Sequence, residues 1–123
     1  MRRSLVLLAA ALLCALAAPS ASAADAVRGE EIYNSRCIAC HSPDANRVGP
    51  KHRGVVGRSA GTVPDFNYSK ALKGSGVVWT EATLDKWLTN PQAYIPGQRM
   101  NFKVADPADR ADLIAYLMSL SQP

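Results

Sequence analysis

Cys37-Ile38-Ala39-Cys40-His41-Ser42-Pro43 sets two thiols three positions apart and an imidazole directly behind the second. Which chemistry uses that order depends on the redox compartment, because exposed thiols in an oxidising one pair unless something else claims them. The front of the chain bears on the compartment. Met1-Arg2-Arg3 is a short cationic start, Leu5 to Ala18 is an unbroken apolar run, and Ala21-Ser22-Ala23 is a small-residue cleavage pattern. That layout is a secretory signal peptide, residues 1–23, with cleavage expected after Ala23. A retained anchor fits less well, since the run holds 14 residues against roughly 20 for a spanning helix. Cys14 lies inside the run behind Leu13, where a lipoprotein site needs a small residue, so it is expected to leave with the leader.

Residues 24–123 are then about one domain's worth of chain, in an oxidising compartment, with Cys37 and Cys40 as the remaining cysteines. Losing Arg2 and Arg3 lowers the formal net charge from +4 to +2. The charge is unevenly spread. Arg47 to Lys103 holds nine basic residues and three acids, a net +6, while the two ends together carry −4. Nucleic-acid binding is not expected, because an exported chain has no access to it and aromatics are not interleaved with the basic residues.

No repeat, low-complexity tract or interdomain linker interrupts residues 24–123. A first helix is expected from about Ala26 to Arg36, with Asp25 as N-cap and Gly29, Ile32 and Tyr33 on one face. Thr80 caps a second, in which Leu84, Trp87 and Leu88 make a stripe that Asn90-Pro91 ends. The last has Asp106 at the N-cap, Pro107 at N1, Asp109 and Asp112 near the positive end of the dipole, and Leu113, Ile114, Leu117 and Met118 on its apolar face. A short helix after Ser69 is possible, and Gly76 to Trp79 suits a brief extended stretch. The class is all-α. Ser42 to Gly76 is poor in large apolar residues, so a few short helices with this much loop make a marginal core. Something else should fill the interior.

A haem would fill it. Two thiols separated by two residues reach the two vinyl groups of one porphyrin edge as thioethers, and the imidazole that follows turns under the iron. Three other readings compete. Zinc would need His52 as a fourth ligand at an unusual spacing, a thioredoxin-like redox pair would want a preceding strand and a βαβ context, and a structural disulfide would close a loop too small to constrain the unfolded chain much. The adjacent His41 favours haem. The second axial position of its iron separates electron carriage from small-molecule binding. Met118 sits on the apolar face of the last helix and reads as core filling. Met100 lies in Tyr94-Ile95-Pro96-Gly97-Gln98-Arg99-Met100-Asn101-Phe102, where Pro and Gly exclude a regular helix and a thioether can be presented to a metal. His52 is the rival ligand, but it is expected to be a solvated or carbonyl-bonded loop histidine.

At this point the chain resembles class I c-type cytochromes, the mitochondrial-type cytochrome c and its soluble bacterial counterparts. The residues that carry the resemblance run in order along nearly all of residues 24–123. They are Gly29 and Tyr33 ahead of the CxxCH, Gly49-Pro50 followed by Gly54-Val55-Val56-Gly57-Arg58, Phe66-Asn67-Tyr68-Ser69, Trp79, Asn90-Pro91, Tyr94-Ile95-Pro96-Gly97 through Met100 and Phe102, and Ala111 to Leu117. The resemblance implies a small cytochrome c fold of three to five helices around one covalent haem c held by Cys37 and Cys40. It also implies axial ligands His41 and Met100, and a crossing of first and last helices that sets Gly29 and Tyr33 against Leu113 and Tyr116. By the same resemblance the Pro50 carbonyl would orient His41, while Arg58, Tyr68 and Trp79 would surround the haem propionates with donors.

Departures from the family pattern are a short loop from His41 to Pro50, Trp87 in place of Tyr, Leu72 in place of Asn, Gln98-Arg99 in place of Thr-Lys, and His52 in place of leucine. Trp87 and Leu72 remove polar groups on the methionine side. Gln98 is expected to keep a propionate hydrogen bond through its amide. The implied function is a soluble, monomeric, periplasmic electron carrier rather than an enzyme, moving single electrons between membrane redox complexes. A donor cytochrome complex, an oxidase or a photosynthetic centre would dock on the basic face that includes Lys51, Lys70, Lys73, Lys86, Arg99 and Lys103. The alternative is a haem peroxidase or ligand sensor in which Met100 leaves the iron.

Overall fold

Asp25 begins the ordered fold, its side chain accepting hydrogen bonds from the backbone N–H groups of Val27 and Arg28. The computed structural model describes residues 17–18 and 22–123, so the leader expected over residues 1–23, with Cys14, lies almost wholly outside the described residues. The helices that follow are α1 (Ala26–Arg36), α2 (Lys70–Lys73), α3 (Glu81–Thr89), α4 (Pro91–Tyr94) and α5 (Pro107–Ser119). Each begins at a residue that satisfies N–H groups its first turn cannot. Ser69 caps α2, Thr80 and Thr83 cap α3 reciprocally, and Asp106 caps α5 with Pro107 at N1. Asn90-Pro91 ends α3 as expected and also restarts the chain, since the Asn90 side chain accepts from Ala93 N and opens α4. That extra turn was not anticipated.

Helices α1 and α5 cross at Gly29. A Cβ there would lie 1.9 Å from the Asp112 carbonyl oxygen and 2.9 Å from Tyr116 Cβ, so only glycine permits this approach. Tyr33 fills the crossing, 1% exposed, with its ring 5.2 Å from that of Tyr116. Outside this apolar contact lies a polar clasp. Arg28 pairs with Asp109 and Asp112, Arg36 pairs with Asp109, and Asp112 also accepts from Asp25 N. The two acids read as dipole partners thus also join the helices.

Leu84, Trp87 and Leu88 of α3 pack with Leu113 and Leu117 of α5 in one core that also holds Trp79, Ile95 and Val104. Arg110 reaches from α5 to Asp85 of α3 and donates to the carbonyls of Val104 and Ala105, fastening the chain that enters α5. Among the described residues there is no β-strand. The brief extended stretch ending at Trp79 makes a single antiparallel bridge, Ser59 with Val78, flanked by bonds from Ala60 N to Val77 O and from Trp79 N to Arg58 O. Between α1 and α2 the chain is otherwise loop, and it encloses a cavity instead of packing on itself.

Candidate functional site

The cavity measures about 310 Å³, and all nine residues singled out from the sequence line it: Cys37, Cys40, His41, Pro50, Arg58, Tyr68, Trp79, Gln98 and Met100. Its walls come from the separate segments the sequence left as loop, together with Leu84, Trp87 and Leu88 of α3 and Leu113 and Leu117 of α5. Met118 is not among them. It packs partly buried against the core, in keeping with core filling.

Helix α1 ends on Cys37, whose N–H donates to Tyr33 O, and the Cys37 carbonyl then accepts from both Cys40 N and His41 N. This tight turn holds two free thiols and the imidazole on one wall. Burial pushes the Cys37 thiol up to about 11, so it is a protonated thiol. His41 Nδ1 lies 2.9 Å from the Pro50 carbonyl. A carbonyl only accepts, so Nδ1 carries the proton and Nε2 keeps its lone pair. Burial lowers the His41 pKa, with the Pro50 bond acting the other way. Gly49 makes room for the ring, as a Cβ there would sit 2.1 Å from His41 Cε1. Among the described residues no group of three or more His, Cys, Asp or Glu side chains is arranged to hold a metal ion.

The methionine wall is built by glutamines. Gln98, buried, accepts from Met100 N at 2.5 Å and donates to Met100 O at 2.6 Å. Gln92, the second residue of α4, donates to Gln98 O and to Asn101 Oδ1 and accepts from Gly97 N. Gln98 therefore commits its amide oxygen and one N–H to the main chain of Met100, and its second N–H is left over. No local signal shows this double bond, which needs the loop already folded.

Further round the cavity stand donors. Arg58, half-buried, donates to the carbonyls of Lys51 and Arg53, and burial lowers its pKa. The Tyr68 hydroxyl accepts from Val63 N, which leaves its own proton to donate. Among the described residues the Trp79 indole N–H and Arg58 Nε have no acceptor. Apolar walls with a cluster of unspent donors, two free thiols on one side and an imidazole with a bare Nε2 suit a flat apolar group that carries carboxylates.

His52 departs most from expectation. Its Nδ1 lies 2.9 Å from the Tyr33 hydroxyl, and its ring stacks on His41 with centroids 4.1 Å apart and planes 24° from parallel. Its ring, partly buried, bonds a hydroxyl and not a carbonyl. Stacked on the face of His41, it lies on the same side of the cavity as that imidazole.

The family model for cytochrome c matches residues 26–121. The chain belongs to the cytochrome c family. It is 50% identical over 100 residues to cytochrome c2 of Rhodomicrobium vannielii, spanning 78% of this chain and 79% of that one. It is 49% identical over 98 residues to cytochrome c 2.1 of Caenorhabditis elegans, spanning 77% of this chain and 88% of that one. Cytochrome cH from Methylobacterium extorquens shares the fold with a TM-score of 0.74 and 42% identity, over 77% of this chain and 98% of that structure. Members of the cytochrome c family carry one covalently attached haem c and transfer electrons.

Proposed function

We propose that this cytochrome c is a soluble, monomeric carrier of single electrons in the periplasm, reached by cleavage of the leader after Ala23. Cys37 and Cys40 would hold the haem as thioethers, His41 and Met100 would ligate its iron, and Pro50, Arg58, Tyr68, Trp79 and Gln98 would form its surroundings. The observation that carries the reading is the 2.9 Å contact of His41 Nδ1 with the Pro50 carbonyl. With Nδ1 committed to Pro50 O, Nε2 faces a cavity that Met100 and both thiols also line.

The haem supplies one-electron chemistry when bound. The chain's own residues do the rest. With His41 and the thioether of Met100 both bound, the iron would have no vacant position for oxygen or peroxide chemistry, and a neutral Met would disfavour the ferric form and raise the potential. The bonds from Gln98 to Met100 hold that loop still, which weighs against the alternative of a peroxidase or sensor with a displaceable Met100. Arg58, Tyr68 and Trp79 offset the cost of burying propionates. Val48 and Phe102 line the cavity yet are 77% and 40% exposed, and so offer an apolar rim where electrons enter and leave. Arg99 lines the same cavity, and with Lys51, Lys70, Lys73, Lys86 and Lys103 of the basic middle segment it suits brief docking to acidic faces of membrane redox complexes, in a salt-dependent way. Among the described residues no helix is long and apolar enough to cross a membrane.

Reduced and oxidised absorption spectra of the purified protein test this. A low-spin c-type spectrum with the weak long-wavelength thioether-to-iron band is expected, and Met100→Ala should abolish that band, lower the potential and admit exogenous ligands. A high-spin wild-type spectrum, or an unchanged one in the variant, would contradict the ligand assignment.

A further inference from the structure

His41 is touched from two directions. On one edge Pro50 O accepts from Nδ1 at 2.9 Å. On one face lies the His52 ring, 4.1 Å away between centroids. The Pro50 contact is made by the loop itself, whereas His52 is held by something outside the loop. Tyr33 presents its hydroxyl to His52 Nδ1 at 2.9 Å and its ring edge-on at 5.5 Å. Tyr33 is a residue of α1, 1% exposed, packed on Tyr116 of α5 at the crossing. A hydroxyl so buried needs a partner, and among the described residues His52 Nδ1 is the one it has. That one hydrogen bond ties the His52 ring to α1.

We infer that Tyr33 and His52 form a second orienting arm on the proximal ligand: the helix crossing holds Tyr33, Tyr33 holds His52, and the stacked His52 ring sets the rotation of the His41 plane. The inference rests on the reading of His41 as an iron ligand. A ligand imidazole's plane matters because it sets how unpaired spin in the ferric state is shared among the porphyrin's edges, and with it the coupling from iron to the exposed rim. Partners of a ligand's partner control orientation in just this manner at other metal sites. A single hydrogen bond at Nδ1 leaves the ring free to swing about it, and a flat group stacked on the face removes that freedom. His52 and Tyr33 are positioning residues. Neither touches the iron.

The test is proton NMR of the ferric holoprotein, reading the order and spread of the four haem methyl resonances, in wild type, His52→Leu, Tyr33→Phe and the double variant. His52→Leu is expected to reorder the methyl shifts while the thioether-to-iron band persists. Tyr33→Phe should move them in the same sense by less, and should add nothing in the His52→Leu background, because Tyr33 acts through His52. An unchanged methyl pattern in His52→Leu overturns the inference, as does a Tyr33→Phe effect that adds in full. If His52→Leu fails to take up haem, Tyr33→Phe decides alone: a shifted pattern supports the inference and an identical one overturns it. A wild-type spectrum lacking low-spin histidine–methionine character sinks the parent reading and this inference with it, and is told apart because it precedes any substitution.

Discussion

The α1–α5 crossing and the loops around the cavity are held in opposite ways. At the crossing, two capped helices meet through Gly29, pack Tyr33 on Tyr116, and close a clasp of Arg28, Arg36, Asp109 and Asp112 over the contact. The charged groups of the clasp are paired within the chain. Around the cavity, residues from Cys37 to Phe102 line about 310 Å³ of space with donors unspent. The crossing is complete as polypeptide. The loops are complete only around haem.

The largest expected effect tests that difference directly. Replacing both Cys37 and Cys40 by Ser removes covalent attachment. At about 24 cal/mol per Å³ of unfilled volume, losing the haem would cost up to about 7 kcal/mol, comparable with the whole stability of a small domain. Far-UV circular dichroism of the double variant should show most helical signal lost at 25 °C, and a natively helical colourless protein would break the comparison. Next comes the crossing. Gly29→Ala puts a methyl on the Asp112 carbonyl, a backbone atom with no rotamer to yield, so the holoprotein should lose about 3 kcal/mol in urea unfolding. A loss under about 0.5 kcal/mol would mean the helices slide apart freely.

Gln98→Ala sharpens the loop side. It leaves Met100 N and O without their partners, at a cost of about 1–2 kcal/mol. If that cost falls on the ligand loop, affinity for added imidazole should rise about tenfold by spectrophotometric titration. Stability lost without any gain in imidazole affinity would show that Gln98 braces the fold and not the ligand. The smallest effect concerns the clasp. The Arg28 guanidinium holds the Asp109 carboxyl below its ordinary pKa, while the Asp25 N–H, then Arg28, does so for Asp112. Folded-state values below the unfolded ones mean stability that is present above the ordinary carboxylate range and lost as pH falls through the depressed values. Arg28 is 47% exposed, so salt screens much of this. Asp109→Asn should flatten the acid limb of stability against pH slightly, and a variant whose limb is as steep as wild type would show the clasp to be ornamental.

The sequence was legible where signals are short-ranged. The bounds of α1, the caps at Asp25, Thr80 and Asp106, and the core stripe of α3 all emerge from residues within one or two turns of each other. The attachment motif, a turn of five residues, is of the same kind. Resemblance extended that reach to the nine cavity residues, since it supplies an order along the chain that no single motif carries. His52 was misread because nothing within a few positions of it foretells Tyr33, 19 residues earlier, as its partner. The Gln98 bonds to Met100 were not legible for a related reason: the amide has several targets in reach, and the folded loop selects the Met100 main chain. The Arg110 bonds to Asp85 and two carbonyls likewise join pieces the sequence leaves apart.

Local chemistry therefore suffices for an all-α chain with a tight turn that pairs Cys37 and Cys40 ahead of His41, because caps, turns and thiol spacing act over a few ångströms of contiguous backbone. Folding alone selects which partner each long polar side chain takes. Tyr33 meets His52 because α1 crosses α5 at Gly29, and a hydrogen bond, reaching about 3 Å, forms only after such a crossing has brought distant residues together.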